Sequence, residues 1–544
     1  MKSLLLLALA LVILLPTRAQ SGAPATTDDL RKEIQQLRQD YEQRIRQLED
    51  RLKQMEARTP APGAAAPTNL ATTMPAPAAA PGGTNRTAEA GREFARQAFA
   101  RNTEDREAAL AQETDHPMRD RVEQVLRDFV DISGYFRAGY GVDDEGGTQV
   151  AFRAPGAMSK YRLGNETENY GELVFGKNWY SPGVFSLDPA ERAEGGSAGP
   201  IARTQVRMAF NDDYATHDFR TSLPEAWVSI GNVIGANPST KFWAGNRFYR
   251  RHDIHVTDFY FYNMSGYGGG IEDFAAGPGK LALAWIGNSA ESSVISDVIL
   301  PDPANQAGFT KRSIDLRYYD VNLPLGKGEF GLAYAYGESG KDQLGNKAPE
   351  TDGVALNFVH TRERFLDESG FNKFSLQAGT GLAKNFNSGY DLVQANGNYY
   401  ILPDVHDSWR FRVTEHFATY VAPGLSLGPV LVYQYTDYKG PQGRQHWLSA
   451  GVRPVLEFSR HISLAFEGGV DYVDDSGART RDYLYKLTLA PQVSLGRGFM
   501  SRPVLRAFAT YAHWGPDFVG KVGGNDYLTR DDGWTWGVQM ETWW

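Results

Sequence analysis

From about Val130 to Trp544 one pattern recurs: apolar and polar residues alternate in short runs, and Gly-, Asp- or Asn-rich breaks separate the runs. Val130, Ile132, Phe136 and Ala138 take one parity, while Ser133, Tyr135 and Arg137 take the other. Within Phe330 to Tyr336, the side chains of Leu332, Tyr334 and Tyr336 share a face. At the end of the chain Trp536, Val538, Met540, Thr542 and Trp544 share one face, and Gly537, Gln539, Glu541 and Trp543 the opposite one. Period two puts alternate side chains on opposite faces of a strand, so residues 130–544 are predicted to be all-β. The last strand would be a hazardous open edge in water. Pairing it with the first strand removes the edge, and in lipid such closure is compulsory. The last strand of a soluble sandwich is the competing reading.

Residues 1–129 follow other rules. Lys2 precedes a short apolar run from Leu4 to Pro16, and Thr17-Arg18-Ala19 offers a cleavage site, which predicts an export signal over residues 1–19. In residues 20–58, Leu30, Ile34, Leu37 and Tyr41 alternate at spacings of four and three, and Ile45, Leu48, Leu52 and Met55 resume the alternation after a four-residue stutter. A stripe this narrow cannot bury itself in a globular core, so it predicts a self-associating coiled-coil stalk. Residues 59–87 are dominated by Ala and Pro and read as a semi-rigid linker. Residues 88–129 return to helical composition, with Phe94, Phe99, Val122 and Leu126 as the apolar positions.

Composition narrows the class. No stretch after the signal is long and apolar enough for a transmembrane helix, which a β-barrel would not need. The chain has no cysteine, so thiolate metal sites and cysteine nucleophiles are excluded. A net charge of −9 argues against a nucleic-acid partner. Aromatic residues make up 12% of the chain, including 27 Tyr and 11 Trp, an excess that interfacial girdles of a barrel would explain. No cofactor-binding motif, nucleotide loop or nucleophile triad stands out.

Several stretches resemble the maltoporin family of outer-membrane sugar channels. They are Ser159 to Glu166 (SKYRLGNE), Phe242 to Tyr260 (FWAGNRFYRRHDIHVTDFY), Ser265 to Glu272 (SGYGGGIE), Gly370 to Phe374 (GFNKF), Ser501-Arg502-Pro503 with Phe508 to Trp514 (FATYAHW), and Met540 to Trp544 (METWW). They fall in the family's order over about residues 130–544. The stalk resembles the periplasmic extension of the related sucrose porins. The resemblance implies an 18-stranded antiparallel transmembrane β-barrel, a homotrimer in outer-membrane lipid, and a third surface loop folded into the pore. A three-fold assembly would make the stalk three-stranded. Its periplasmic partner is left open.

A sugar offers C–H ring faces and a rim of hydroxyls, so a sugar path needs aromatic faces and ionised donors and acceptors. The family's aromatic slide maps onto Tyr135, Tyr170, Phe371, Met500 and Trp543. Parity independently places Tyr135 and Trp543 on the polar face. Met500 stands where the family has Trp, which predicts a less continuous slide. A further aromatic reaching from the neighbouring subunit would fall near Tyr214 or Phe219. The family's polar track maps onto Arg137, Arg162, Glu172, Arg251, Asp253, His255, Asp258 and Tyr260, and Pro224 replaces one further Arg. The interleaved charges of Arg251, Asp253 and His255 are expected to pair with one another. Arg251 and Tyr260 follow the maltoporin pattern and not the smaller groups of sucrose porins, which points to glucose-based oligosaccharides. Where the family can carry a cysteine pair, this chain has Ala151 and Thr167. Two other readings stand: a porin for other solutes, and an exported soluble glycan-binding protein with Glu172 and Asp253 as a hydrolytic pair.

Overall fold

The computed structural model describes residues 130–180, 199–213, 219–289, 310–337, 350–389 and 406–544, with 340–341, 347–348, 392–395 and 398–401 between them. The expected signal, stalk, linker and helical connector lie outside the described residues, as does Tyr214. Eighteen long strands form one sheet. The first six are β1 (Asp131–Asp143), β2 (Glu168–Tyr180), β3 (Ile201–Asp213), β4 (Phe219–Gly231), β5 (Lys241–Arg247) and β6 (Gly266–Ala276). Next come β7 (Gly279–Ser289), β8 (Thr310–Leu323), β9 (Gly326–Gly337), β10 (Thr351–Glu363), β11 (Phe371–Thr380) and β12 (Trp409–Ala422). The last six are β13 (Leu425–Asp437), β14 (Arg444–Glu457), β15 (Ile462–Asp475), β16 (Thr480–Ser494), β17 (Val504–Trp514) and β18 (Asp532–Trp543).

Each strand pairs antiparallel with its sequence neighbours, and β1 also pairs with β18, so the sheet is a closed barrel. The seam runs from Tyr135 opposite Trp543 to Asp143 opposite Thr535. Trp544 extends it with reciprocal backbone hydrogen bonds to Gly134, each 3.2 Å long. Its indole lies on the Phe136 ring with centroids 5.6 Å apart. A Cβ at residue 134 would sit 2.6 Å from that indole, so only glycine lets the ring close over the seam.

The faces are inverted relative to a water-soluble barrel. Tyr140, Leu283, Trp285, Leu356, Leu487 and Val538 are exposed on the outside, whereas Arg137, Asp315, Arg317, Arg412, Glu467 and Glu541 are buried inside. Hydrocarbon is the environment that makes such an outer face stable, and the barrel leaves no unpaired edge within it. The alternation read from the sequence holds along β18, where Trp536 and Val538 are exposed and Gln539 and Glu541 are buried. In β1 Arg137 is buried and Tyr140 exposed as expected, but Ser133 is exposed and Gly134 is buried beneath Trp544.

Connections differ between the two ends. On the side where β1 begins, turns such as 277–278, 324–325 and 423–424 are short. On the far side, residues 144–167, 248–265 and 381–408 form long connections. Parts of all three fold into the lumen, and the second of them is the third far-side connection in chain order, as expected. In segment 144–167 the Tyr161 ring lies against the wall formed by β14 and β15. Cβ atoms at Gly451 and Gly469 would come within 2.4 and 2.2 Å of it. Lys486 donates to the Leu163 carbonyl at 2.7 Å, and the Leu163 amide donates to Glu467 at 3.0 Å. Asn165 then closes the segment, accepting from the Phe152 amide at 2.8 Å and donating to the Phe152 and Tyr161 carbonyls at 2.8 and 2.9 Å. This side-chain clasp takes the place of a cysteine pair between the regions of Ala151 and Thr167. Gly469→Val should evict the Tyr161 ring, at an overpacking cost of ~1–3 kcal/mol, and raise the single-channel current. An unaltered current would mean that the segment is held in place without this seat.

Candidate functional site

The β1–β18 register puts Tyr135 directly opposite Trp543, and both side chains point inward. Their rings are 6.4 Å apart and only 15° from parallel. Tyr170 enters from β2, where Glu172 is opposite Tyr135, and its ring lies 6.1 Å from that of Tyr135 at a tilt of 52°. Three of the five expected slide residues therefore form one continuous surface. Phe371 faces the lumen from β11 beside His416, 5.7 Å away and edge-on, apart from the trio. Met500 is exposed in the turn between β16 and β17. Its neighbour Phe499 turns inward instead, with its ring 6.4 Å from His255 and the Arg453 guanidinium 5.6 Å from its centroid. Phe499 was not legible as a lumen residue because turns have no parity.

The polar residues divide into two groups. In the first, Glu541 is the centre. Its carboxylate pairs with Arg162 at 3.0 Å, Arg502 at 2.7 Å and Arg506 at 3.1 Å, and accepts from the Tyr135 hydroxyl at 3.1 Å. Arg162 also donates to the Tyr135 hydroxyl at 2.8 Å and pairs with Glu166 at 3.1 Å. Arg137 joins through Glu166 at 3.3 Å and through Glu168. Arg502 lies over the Trp543 ring at 4.1 Å. His255 reaches this group from the inner loop. Its two ring nitrogens lie 3.4 Å from Arg162 and 3.3 Å from Arg502. Burial, reinforced by the Arg162 charge, holds its pKa well below the ordinary imidazole range.

In the second group the expected mutual pairing of Arg251, Asp253 and His255 does not occur. Arg250 and Asp258 have φ of 41° and 52°, and these two left-handed positions bend the loop around a short hairpin, His252–Ile254 with Phe259–Tyr262. The bends send the side chains in different directions. Arg251 stacks over Phe248 at 3.7 Å and Tyr260 at 4.6 Å. Among the described residues, Asp253 and Asp258 have neither an ion-pair nor a hydrogen-bond partner, and Asp258 and Tyr260 are exposed to the lumen. A cavity of about 770 Å³ opens beside Arg251, with Arg207, Glu225, Trp227 and Arg247 also in its lining. Glu172 accepts from the Tyr170 hydroxyl at 2.5 Å and pairs with Arg207. Those partners occupy the carboxylate that the hydrolytic reading required.

Two further positions have a local explanation. Pro224 sits at an irregularity where Arg207 pairs with Glu225 but Ala209 pairs with Ser222. A residue without an N–H fits such a break in the ladder. Phe219 is exposed at the far-side end of β4, with its ring 6.4 Å from that of Phe210. Glu541, Arg502 and Arg506 were missing from the expected track. Parity placed Glu541 on the lumen face, but nothing local indicates that three arginines converge on it.

A closed barrel with an apolar outside, a charged lumen and infolded loops is a porin, an outer-membrane channel through which solutes diffuse. The LamB porin family model matches residues 130–544, and the chain belongs to that family. Similar solved structures include the anion-selective porin from Comamonas acidovorans, at 10% identity and a TM-score of 0.38, covering 76% of this chain and 99% of that one. OccAB1 of Acinetobacter baumannii matches at 11% identity and a TM-score of 0.40, with 76% and 96% covered. OprB of Pseudomonas putida matches at 8% identity and a TM-score of 0.38, with 78% and 96% covered.

Proposed function

We propose that this channel conducts sugars, chiefly maltose and maltodextrin-type oligosaccharides. The observation that carries this reading is the Tyr135–Tyr170–Trp543 surface, lying beside ionised groups that other residues hold fixed. Stacked rings take up the C–H faces of successive sugar units, and Asp253, Asp258 and Tyr260 offer hydroxyl partners from the inner loop. Each contact is weak, which lets a sugar leave as well as enter. The working unit in this reading is a homotrimer in outer-membrane lipid. Phe219, at the rim, is suited to reach a neighbouring subunit. In the same reading the N-terminal stalk forms a three-stranded coiled coil in the periplasm. No cofactor is required.

A second reading, a channel for sucrose-like sugars or for solutes in general, draws support from Met500, whose thioether has no flat face. Current block in a planar bilayer separates the two. Maltose to maltohexaose should block with affinity that rises with length, though less steeply than for an unbroken slide. Tighter block by sucrose would favour the second reading. Ordinary salt current without block by any sugar would remove the sugar path.

A further inference from the structure

Three separate connections enter the barrel, and one wall side chain touches all three. Arg412 projects inward from β12 and is 1% exposed. Its Nη1 donates to the Phe261 carbonyl of the inner loop at 2.8 Å and to Gln377 at 3.3 Å. Nε and Nη2 donate to the Gln434 side-chain oxygen at 2.9 and 2.7 Å, and Nη2 also lies 3.3 Å from the Met158 sulfur of segment 144–167. The rings of Phe259, in the inner loop, and Phe386, in connection 381–408, lie 4.9 Å from the guanidinium. Arg410, two residues earlier on the same face, donates to Thr436 at 2.8 Å, to Tyr438 at 3.3 Å and to Asn385.

Among the described residues neither arginine has a carboxylate partner, although both are buried. Buried guanidinium groups are ordinarily paired, because desolvating the charge is expensive. Here a carbonyl, amide oxygens, a sulfur and two aromatic faces replace the missing anion, and the loops supply several of them. The dependence is mutual. If the inner loop withdraws, the guanidinium loses a carbonyl and a ring while still buried. If the guanidinium is removed, all three loops lose an anchor on the wall. An apolar side chain of the same length would fill the space and remove this shared anchor, leaving the backbone hydrogen bonds from Asn263 to Phe386, from Ser388 to Asn263 and from Arg162 to Val256 to hold the loops together.

We propose that Arg412 is the clamp that sets the aperture of the channel, with Arg410 securing connection 381–408 beside it. It is a positioning residue. Through Phe259 and Phe261 it helps set the depth of the inner loop, and so the place where the His255 and Trp543 rings stand perpendicular, 5.7 Å apart at 85°. Its effect on sugar rests on the sugar-channel reading, but its effect on aperture does not.

The test compares the full-length protein with Arg412→Met and Arg412→Lys in planar bilayers, with maltotriose as the probe. Arg412→Met should raise open-channel conductance, add current noise, and weaken maltotriose block at least about fivefold, the scale of coupling between linked sites. Arg412→Lys should fall between, since it keeps the charge but has one donor group. Phe386→Leu removes one ring face and keeps every hydrogen bond. It should shift conductance in the same direction by less, and it covers the case in which Arg412→Met does not assemble. Conductance and noise equal to the parent's in Arg412→Met, or in Phe386→Leu if the first variant fails to fold, would overturn the proposal even if thermal stability fell. If maltotriose fails to block the parent, the sugar reading fails, and the conductance comparison still decides the clamp.

Discussion

Replacing Glu541 by alanine is expected to destabilise the folded barrel by ~3–5 kcal/mol, the usual cost of stripping a buried ion cluster of its central partner. Arg162, Arg502 and Arg506 would all lose their shared counter-charge, and the Tyr135 hydroxyl would lose an acceptor. These groups come from segment 144–167, the β16–β17 turn, β17 and β1, so the damage would spread across the lumen. The readout is the temperature at which the folded species converts to the unfolded band on a denaturing gel. Glu541→Gln should be milder, since one amide oxygen still accepts, while its NH₂ faces guanidinium donors. A conversion temperature unchanged in Glu541→Ala would show that the arginines are satisfied by other means.

Trp543→Ala is expected to do the reverse, leaving the barrel and its salt current nearly intact while weakening sugar block about tenfold, or ~1.4 kcal/mol. Among the described residues the indole joins no hydrogen-bond network, and Arg502, which covers one of its faces at 4.1 Å, keeps its pair with Glu541. What goes is the ring that continues the Tyr135 surface. On the proposed sugar path the loss should be felt in affinity and little in conductance. A maltodextrin titration on single channels measures both at once. Equal block in parent and variant would take Trp543 off the path.

Period-two alternation carried much of this architecture. Tyr135, Arg137, Glu541 and Trp543 could be placed on the lumen face because a strand sends alternate side chains to opposite faces. Resemblance supplied the strand number and the infolded third loop. The rest depended on contacts between residues far apart in sequence. The seat of Tyr161 needs glycines at 451 and 469, and the Arg412 clamp gathers residues 158, 261 and 386. No local pattern encodes either. Arg251, Asp253 and His255 alternate in sign closely enough to suggest a self-pairing set. Backbone bends at Arg250 and Asp258 separate them, and a positive φ at a non-glycine residue leaves no trace in hydropathy.

The β1–β18 seam has a kinetic consequence. The hydrogen bond between Tyr135 and Glu541 spans 406 residues, so the contacts that seal the cylinder are those with the greatest loop-closure entropy. Hairpins from β7 to β17 can zip locally, but their curved sheet stays unsealed until its two ends meet. Slow, non-local closure of this kind is when a β-rich chain is most prone to aggregate. The Trp544 indole folding over Gly134 is then a latch that engages at the last step, and its engagement commits the intermediate to the finished pore.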